Sequence, residues 1–297
     1  MAQSSTAINR RKPISKYARK TFIGNLLFLL PTVLLFSFVV LSPFLQGIPY
    51  SFTNWKSIVS SQYTFNGITN YKYLLSNKYF LMSLGITFRY TILYMFSANI
   101  MGFVLALLLR RASRFNNLSR TIFFLPFTVS ITAAAIVWSY VFTDVYGTIT
   151  GLVSPLGQES QIVNAMVIIS AWRDMGYTML IYLAAMQTIS DDYYEAASIE
   201  GANFLQQFTH ITLPMIVPAF TTNITLTLAW GLRCFDLPMV VSSTRQAGQT
   251  TAVYIYQSIF SNNKAGLGQA AAIILTVILV VLTQIVSRTL RKMEVEL

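Results

Sequence analysis

Long apolar runs dominate the chain and alternate with shorter polar stretches. Six segments are long enough to cross about 30 Å of hydrocarbon, which takes roughly 20 helical residues. The six predicted spans are 22–45, 84–109, 121–142, 162–187, 215–235 and 267–288. A helix can cross a bilayer because it satisfies its own backbone hydrogen bonds. The pattern therefore predicts an all-α membrane protein with six transmembrane helices.

Composition supports a bilayer environment. Of the 297 residues, 54% are hydrophobic and only 10% are charged, whereas soluble domains carry about 25% charged residues. So few charges could not cover a globular surface. The first apolar run is longer than the core of a signal peptide, so it is expected to be retained as a membrane helix. We expect a multi-pass protein of the cytoplasmic (plasma) membrane, surrounded by lipid.

The net charge of +11 raises the question of a nucleic-acid partner, and the placement of the charges answers it. Thirteen of the 21 Lys and Arg residues lie in 1–21, 110–120 and 288–292, whereas five lie in the loops on the other side. Positively charged loops stay on the cytoplasmic side of a membrane. Both termini are therefore predicted to be cytoplasmic, and no nucleic acid is needed to explain the charge.

The predicted organisation is a basic cytoplasmic tail (1–21), one six-helix transmembrane domain (22–290) and a second cytoplasmic tail (291–297). A single cysteine, Cys234, and a single histidine, His210, argue against a disulfide framework and against a metal site built on those residues. No metal ligands are predicted.

The loop at 188–214 is the only inside loop of any size, and it contains acids but no lysine or arginine. An acidic loop on this side favours a basic protein partner over the anionic lipid surface. Its pattern predicts two short helices joined by a turn. Ser190 is a candidate N-cap and Gly201 a candidate left-handed terminator. Phe204, Leu205 and Phe208 form an apolar stripe that follows the turn.

The motif E-A-A-x-x-x-G-A followed by I-x-L-P spans Glu195 to Pro214. It resembles the EAA loop of permease subunits of binding-protein-dependent ABC importers. The stretches RTIFFLPFTVSITAAAIVWSYVF, AWRDMGYTMLIYLAAMQTIS and TTAVYIYQSIF are similar to the carbohydrate-uptake branch of that family. Two features depart from it: Glu200 replaces the usual aspartate, and SSTRQAGQTT replaces a common Gly-Gly-Pro loop. The geometry of the outer loop at 242–251 is therefore left open.

The resemblance implies a type I ABC importer permease architecture and a coupling helix that seats in a groove of an ATPase. The residues implied in that contact are Glu195, Ala196, Ala197, Glu200, Gly201, Ala202, Phe204, Leu205 and Phe208. Glu195 would pair with a basic residue of the ATPase, and the two alanines would allow close approach. Gly201 would form the turn, and the three apolar side chains would fill the hydrophobic contact.

The resemblance also implies the partners. These are a second homologous permease, two copies of a cytoplasmic ATPase subunit, and an extracellular substrate-binding protein that delivers a sugar or oligosaccharide. The sequence contains no G-x-x-x-x-G-K-[ST] phosphate loop, so ATP and Mg²⁺ are expected on the partner subunits. This chain is therefore expected to bind no cofactor and to be a transport subunit, not an enzyme.

Polar side chains at membrane depth are costly, so they indicate a substrate path or contacts between helices. The hypothesis of a sugar path names six residues: Asn99, Arg173, Tyr177, Asn223, Thr227 and Trp230. The last three lie on one face of the fifth span, because they are spaced i, i+4 and i+7. The alternative is that the Asn and Thr side chains hydrogen-bond neighbouring helices to one another.

A different class of transporter, an ion-gradient-driven secondary transporter or channel for a small polar solute, is the alternative function. Such proteins often use intramembrane acids, and the predicted spans place only Asp174 at membrane depth. Because adjacent helical residues point apart, Arg173 and Asp174 are expected to pair with different neighbours. The sequence does not identify the sugar or its charge, the ATPase, or the permease that makes most substrate contacts.

Overall fold

The structure is a computed structural model that describes residues 16–57, 59–60, 62–242 and 246–294. Parts of the predicted tails, 1–15 and 295–297, lie outside the described residues, as do residues 243–245 of the outer loop. The chain divides into two compact units, Met1–Pro49 and Tyr50–Leu297.

The described part of the first unit is helical along its whole length. Helix α1 (Lys16–Phe36) contains Pro31, and α2 (Ser42–Tyr50) ends at the unit boundary. Between them, Ser37–Leu41 forms a π-helical turn in which the Ser42 amide donates to the Ser37 carbonyl. The apolar segment Gly24–Tyr50 is long enough to cross a membrane, so the first span extends beyond its predicted end at residue 45.

The second unit is built from thirteen α-helices within the described residues. They are α3 (Thr69–Ser76), α4 (Lys78–Leu108), α5 (Arg114–Phe124), α6 (Ile131–Tyr140), α7 (Tyr146–Thr150), α8 (Ile162–Gln187), α9 (Asp191–Ile199), α10 (Phe204–Gln207), α11 (Leu213–Met215), α12 (Val217–Leu232), α13 (Asp236–Val241), α14 (Thr251–Tyr256) and α15 (Ala265–Arg291). The described segments contain no β-strand, only an isolated bridge between Thr53 and Phe65. The predicted all-α class is confirmed.

Four helical segments of the described chain are long and apolar enough to span a membrane: Gly24–Tyr50, Lys78–Leu108, Val217–Val241 and Ala265–Arg291. A fifth candidate is a pair, Arg114–Thr128 and Ile131–Thr150, that bends by 97°. The prediction of a continuous third span at 121–142 was therefore wrong. Ser130 caps a new helix by accepting a hydrogen bond from the Ala133 amide, 3.2 Å away, and Val129 before it is extended.

The predicted fourth span, 162–187, is a helix with those bounds, α8. By composition, however, α8 is too polar to be a candidate membrane span. The cause is its polar content, which includes Arg173 and Asp174. Sixteen of its 26 residues are buried, so α8 lies inside the helix bundle. The total of six spans stays a prediction.

Helices α4 and α8 run parallel and are joined at regular intervals. The Tyr90 and Ser170 hydroxyls lie 2.7 Å apart, and one turn later Tyr94 donates to Asp174 at 2.5 Å. A further turn along, the Thr178 hydroxyl donates to the Ala98 carbonyl at 2.9 Å. Each contact joins residues 80 positions apart, and this constant offset requires the two helices to run in the same direction.

Candidate functional site

The loop at 188–214 begins with a capped helix. The Ser190 hydroxyl accepts a hydrogen bond from the Asp192 amide at 3.3 Å, as the sequence predicts for an N-cap. Asp191 and Asp192 occupy the first turn of α9, where the helix dipole favours negative charge. The start of this helix is therefore encoded by adjacent residues.

Gly201 terminates α9 in the left-handed region, with φ of +81°. The Ala202 amide donates to the Ala197 carbonyl at 2.9 Å, and the Gly201 amide donates to the Ser198 carbonyl at 3.1 Å. These two bonds form a Schellman motif, which satisfies the last carbonyls of the helix. The predicted turn at Gly201 is confirmed.

A capping box that the sequence analysis missed starts α10. The Asn203 side chain accepts from the Gln206 amide at 3.0 Å, and the Gln206 side chain accepts from the Asn203 amide at 2.8 Å. The spacing N-x-x-Q is the signal that could have identified it. Gln207 then donates to the Ser198 hydroxyl at 2.9 Å and ties the two short helices together.

The apolar stripe after the turn is split between solvent and the bundle. Phe204 is 78% exposed and Leu205 is 67% exposed. Phe208 is half-buried, and its ring centroid lies 6.3 Å from that of Phe103 on α4. The loop thus presents two large apolar side chains that nothing in the described chain covers.

The predicted polar and small residues of the loop are also accessible. Glu195, Ala196 and Glu200 are exposed, whereas Ala197 and Ala202 are half-buried beside the turn. Neither glutamate forms an ion pair with any residue that the structure describes. Both carboxylates are therefore available to a basic partner.

A contact with the end of α4 holds the loop in place. The Arg110 guanidinium lies 4.5 Å from the ring centroid of Tyr194 on α9, and the Tyr194 hydroxyl lies 2.9 Å from that of Thr212. These residues border an open groove of about 810 Å³ that also includes Phe204 and Leu205. Arg110 and Tyr194 were not predicted, since only the fold brings them together.

A second candidate site is a pocket of about 240 Å³ between α4, α8 and the end of α12. Asp174 lines this pocket, and its buried carboxylate accepts from Tyr94 at 2.5 Å and from Arg173 Nε at 2.6 Å. The expectation that Arg173 and Asp174 pair with different neighbours was wrong. The arginine side chain is long enough to reach the carboxylate of the adjacent residue.

Arg233 and Asp236 also line this pocket. The predicted fifth span ended at residue 235, but the structure continues it through α13 to Val241. Asp236 therefore lies inside a candidate membrane span, whereas the predicted spans contained Asp174 as their only acid. Two arginines and two aspartates leave the pocket lining balanced in charge.

Aromatic rings border the pocket on one side. Trp230 lines it, and the Tyr177 ring lies 5.3 Å from the Trp230 ring. Tyr177 in turn stacks at 4.7 Å on Phe127, a residue at the bend of the broken span, and the Arg173 guanidinium lies 5.8 Å from the Phe127 ring. The structure thus brings Arg173, Tyr177 and Trp230 together, as the substrate-path hypothesis requires.

The remaining three predicted path residues lie elsewhere. Asn99 donates to Thr227 at 3.0 Å and accepts from Tyr182 at 2.7 Å, while Asn223 donates to the Thr178 carbonyl at 3.1 Å. All three are buried, and none lines the pocket. Their observed contacts are hydrogen bonds between helices. Their assignment to a substrate path stays a prediction.

Residues 98–294 match the model of one family, the binding-protein-dependent transport system inner membrane component. The chain belongs to this family. It is therefore a membrane-embedded permease subunit, and its family works with a binding protein, not as a self-sufficient gradient-driven transporter. The matched region includes both α9 and most of the pocket residues.

Individual relatives agree with the family. The chain is 34% identical over 286 residues to the probable starch degradation products transport system permease protein AmyD of Thermoanaerobacterium thermosulfurigenes, covering 94% of this chain and 97% of AmyD. It is 33% identical over 262 residues to the arabinooligosaccharides transport system permease protein AraP of Halalkalibacterium halodurans, covering 83% of this chain and 82% of AraP.

A solved structure has the same fold. A chain of a bacterial ABC transporter involved in the import of the acidic polysaccharide alginate superposes with a TM-score of 0.80 and 22% identity. The match covers 93% of this chain and 98% of that one. The predicted type I ABC importer permease architecture is confirmed.

Proposed function

We propose that this chain forms part of the membrane pathway of an ATP-driven ABC importer that takes up an oligosaccharide. Two relatives named for starch degradation products and arabinooligosaccharides support the substrate class. The observation that carries the proposal is the loop at 188–214. It is rigidly capped, yet it exposes Glu195 together with Phe204 and Leu205.

The exposed loop is suited to an ATPase groove. The loop exposes a pair of apolar side chains together with a carboxylate that is unpaired among the described residues. Protein interfaces typically have this composition, with an apolar centre and a polar rim. ATP and Mg²⁺ would be held by two copies of that ATPase, and a second homologous permease would complete the pathway. Closure of the ATPases would move α9 and, through Arg110 and Tyr194, the end of α4.

The pocket around Asp174 is suited to a neutral sugar. Its charges are balanced, so it offers no net attraction to an acidic saccharide. Trp230 supplies an apolar face for a sugar ring, and Arg173, which uses only Nε to bind Asp174, keeps other guanidinium N–H groups as hydrogen-bond donors. Arg173, Tyr177 and Trp230 are the predicted path residues that we retain for substrate contact.

Reconstitution in proteoliposomes tests the proposal. The assembly, with its ATPases, second permease and binding protein, is expected to accumulate a labelled malto- or arabino-oligosaccharide only with internal ATP. Glu195→Lys is expected to abolish uptake and binding-protein-stimulated ATP hydrolysis. Glu159→Lys, a charge reversal outside the loop, is the matched control and should retain both. Uptake by this chain alone, without ATP, would contradict the proposal.

A further inference from the structure

A small folded lobe precedes α4, at the end of the bundle opposite the loop at 188–214. We call residues 50–57 and 62–76 the outer lobe. The Asn54 amide donates to the Thr64 carbonyl at 3.0 Å, and the Thr64 amide donates to the Asn54 side chain at 2.7 Å. Buried Asn70 donates to the carbonyls of Ser51 and Thr53 at 2.8 and 2.9 Å. The lobe is thus held together by its own polar groups.

The outer lobe is fixed to the first turn of the last span. The Gly266 amide donates to the Trp55 carbonyl at 2.8 Å, and the Ala265 amide donates to the Lys56 carbonyl at 3.2 Å. A side chain at position 266 would collide with the Thr53 carbonyl, so only glycine permits this approach. A force applied to the lobe would therefore act directly on α15.

A cavity of about 410 Å³ lies where the outer lobe meets the start of α15. Its lining includes Asn54, Trp55, Lys56, Asn262, Asn263 and Lys264. Both lysines are exposed. The sequence has no Asp or Glu in residues 50–83 or 246–266, and neither lysine forms an ion pair with any residue that the structure describes.

We propose that this cavity receives an acidic side chain of the extracellular binding protein, with Lys56 and Lys264 on either side of the carboxylate. The inference rests on the proposed function, which requires such a partner at this end of the bundle. Paired ammonium groups attract a carboxylate, and amide side chains supply further donors. The partner surface that fits is an acidic edge, and its docking would act on the last span through the outer lobe.

Two measurements test this docking surface, both on the intact assembly in nanodiscs with the binding protein encoded in the same gene cluster. A zero-length carbodiimide cross-link is expected to join Lys56 or Lys264 to an Asp or Glu of the binding protein. The double variant Lys56→Glu/Lys264→Glu is expected to raise the binding-protein concentration that gives half-maximal ATPase stimulation by about tenfold or more. The maximal ATPase rate should stay unchanged. The double variant should also weaken the salt dependence of that concentration.

Lys72→Glu is the matched control, because Lys72 is exposed on the outer lobe but does not line the cavity. It is expected to change the binding-protein concentration for half-maximal ATPase stimulation by less than about threefold. Equal effects of the two charge reversals, or cross-links confined to Lys72, would overturn the inference. If the wild-type assembly takes up saccharide normally and the double variant needs no more binding protein than the wild type, only the docking surface is overturned. If the binding protein does not stimulate ATP hydrolysis by the wild-type assembly, the proposed function is overturned as well.

Discussion

The loop at 188–214 and the pocket around Asp174 are built in opposite ways. In the loop, the hydrogen bonds that form the caps and the turn join residues no more than five positions apart, such as Ala202 with Ala197, and the other stabilising hydrogen bonds stay within the loop itself. In the pocket, they include Tyr94 with Asp174, 80 positions away. A loop of the first kind keeps its shape when its partner is absent, whereas a pocket of the second kind exists only when the bundle is packed.

The two regions also differ in what they leave uncovered. The pocket satisfies its buried charge within the chain, because Arg173 and Tyr94 both donate to Asp174. The loop instead exposes Phe204 and Leu205, which gain stability only when a partner covers them. Substitutions in the pocket should therefore act on the stability of this chain, and substitutions in the loop should act on assembly.

The largest effect is expected from Asp174→Ala. The change leaves the Arg173 guanidinium without its counter-ion at membrane depth, and removing one partner of a buried pair typically costs about 3–5 kcal/mol. Thermal unfolding of the purified assembly measures the loss. The control is Arg173→Met/Asp174→Leu, which removes both charges and should recover most of the stability. A double variant as unstable as Asp174→Ala would show that the pair does not hold the pocket together.

The next effect in size is expected from Phe204→Ser/Leu205→Ser. These side chains are exposed, so the stability of the isolated chain should change by less than about 0.5 kcal/mol. Loss of two apolar interface side chains should weaken ATPase binding by at least about 2 kcal/mol, or roughly thirtyfold. Co-purification and titration of the ATPase measure it. Phe115→Ser, at a 75% exposed position on α5, is the control and should leave ATPase binding intact.

A smaller effect, on the shape of the loop, is expected from Gly201→Val. A branched residue held at φ of +81° costs about 1–2 kcal/mol, and relief of that strain would unwind the end of α9. ATP hydrolysis should become uncoupled from uptake. Gly201→Asn is the control, because asparagine tolerates left-handed backbone. Equal coupling in both variants would mean that the turn does not depend on its left-handed residue.

The same contrast explains what the sequence could predict. The cap at Ser190 and the turn at Gly201 follow from the preferences of single residues, so both were predicted. The 97° bend near Val129 was missed because the apolar run continues across it. Hydrophobicity reports the length of a span but not its direction.

The pocket was predicted only in part, for a different reason. Arg173 and Trp230 were identified because polar or amphipathic side chains are unusual at membrane depth. Asp236 was missed because the span boundary fell one residue before it. Asn99 and Thr227 have the composition of path residues, but the fold pairs them with each other. Which polar side chains face a pocket depends on helix rotation, and the sequence pattern does not specify that rotation.

The smallest effect is expected where the loop meets the bundle, at Arg110→Ala. The guanidinium over the Tyr194 ring contributes about 0.5–1 kcal/mol, because both residues are only half-buried and the cation–π contact is not fully desolvated. Its loss should let α9 move against α4, so the transport rate per ATP hydrolysed should fall a few-fold while ATPase binding stays the same. Arg111→Ala, the exposed neighbour, should change neither quantity. Arg110→Lys should restore part of the ratio, because an ammonium group also interacts with an aromatic ring. If Arg110→Ala and Arg111→Ala lower the ratio equally, general loss of positive charge, and not the ring contact, links the loop to the bundle.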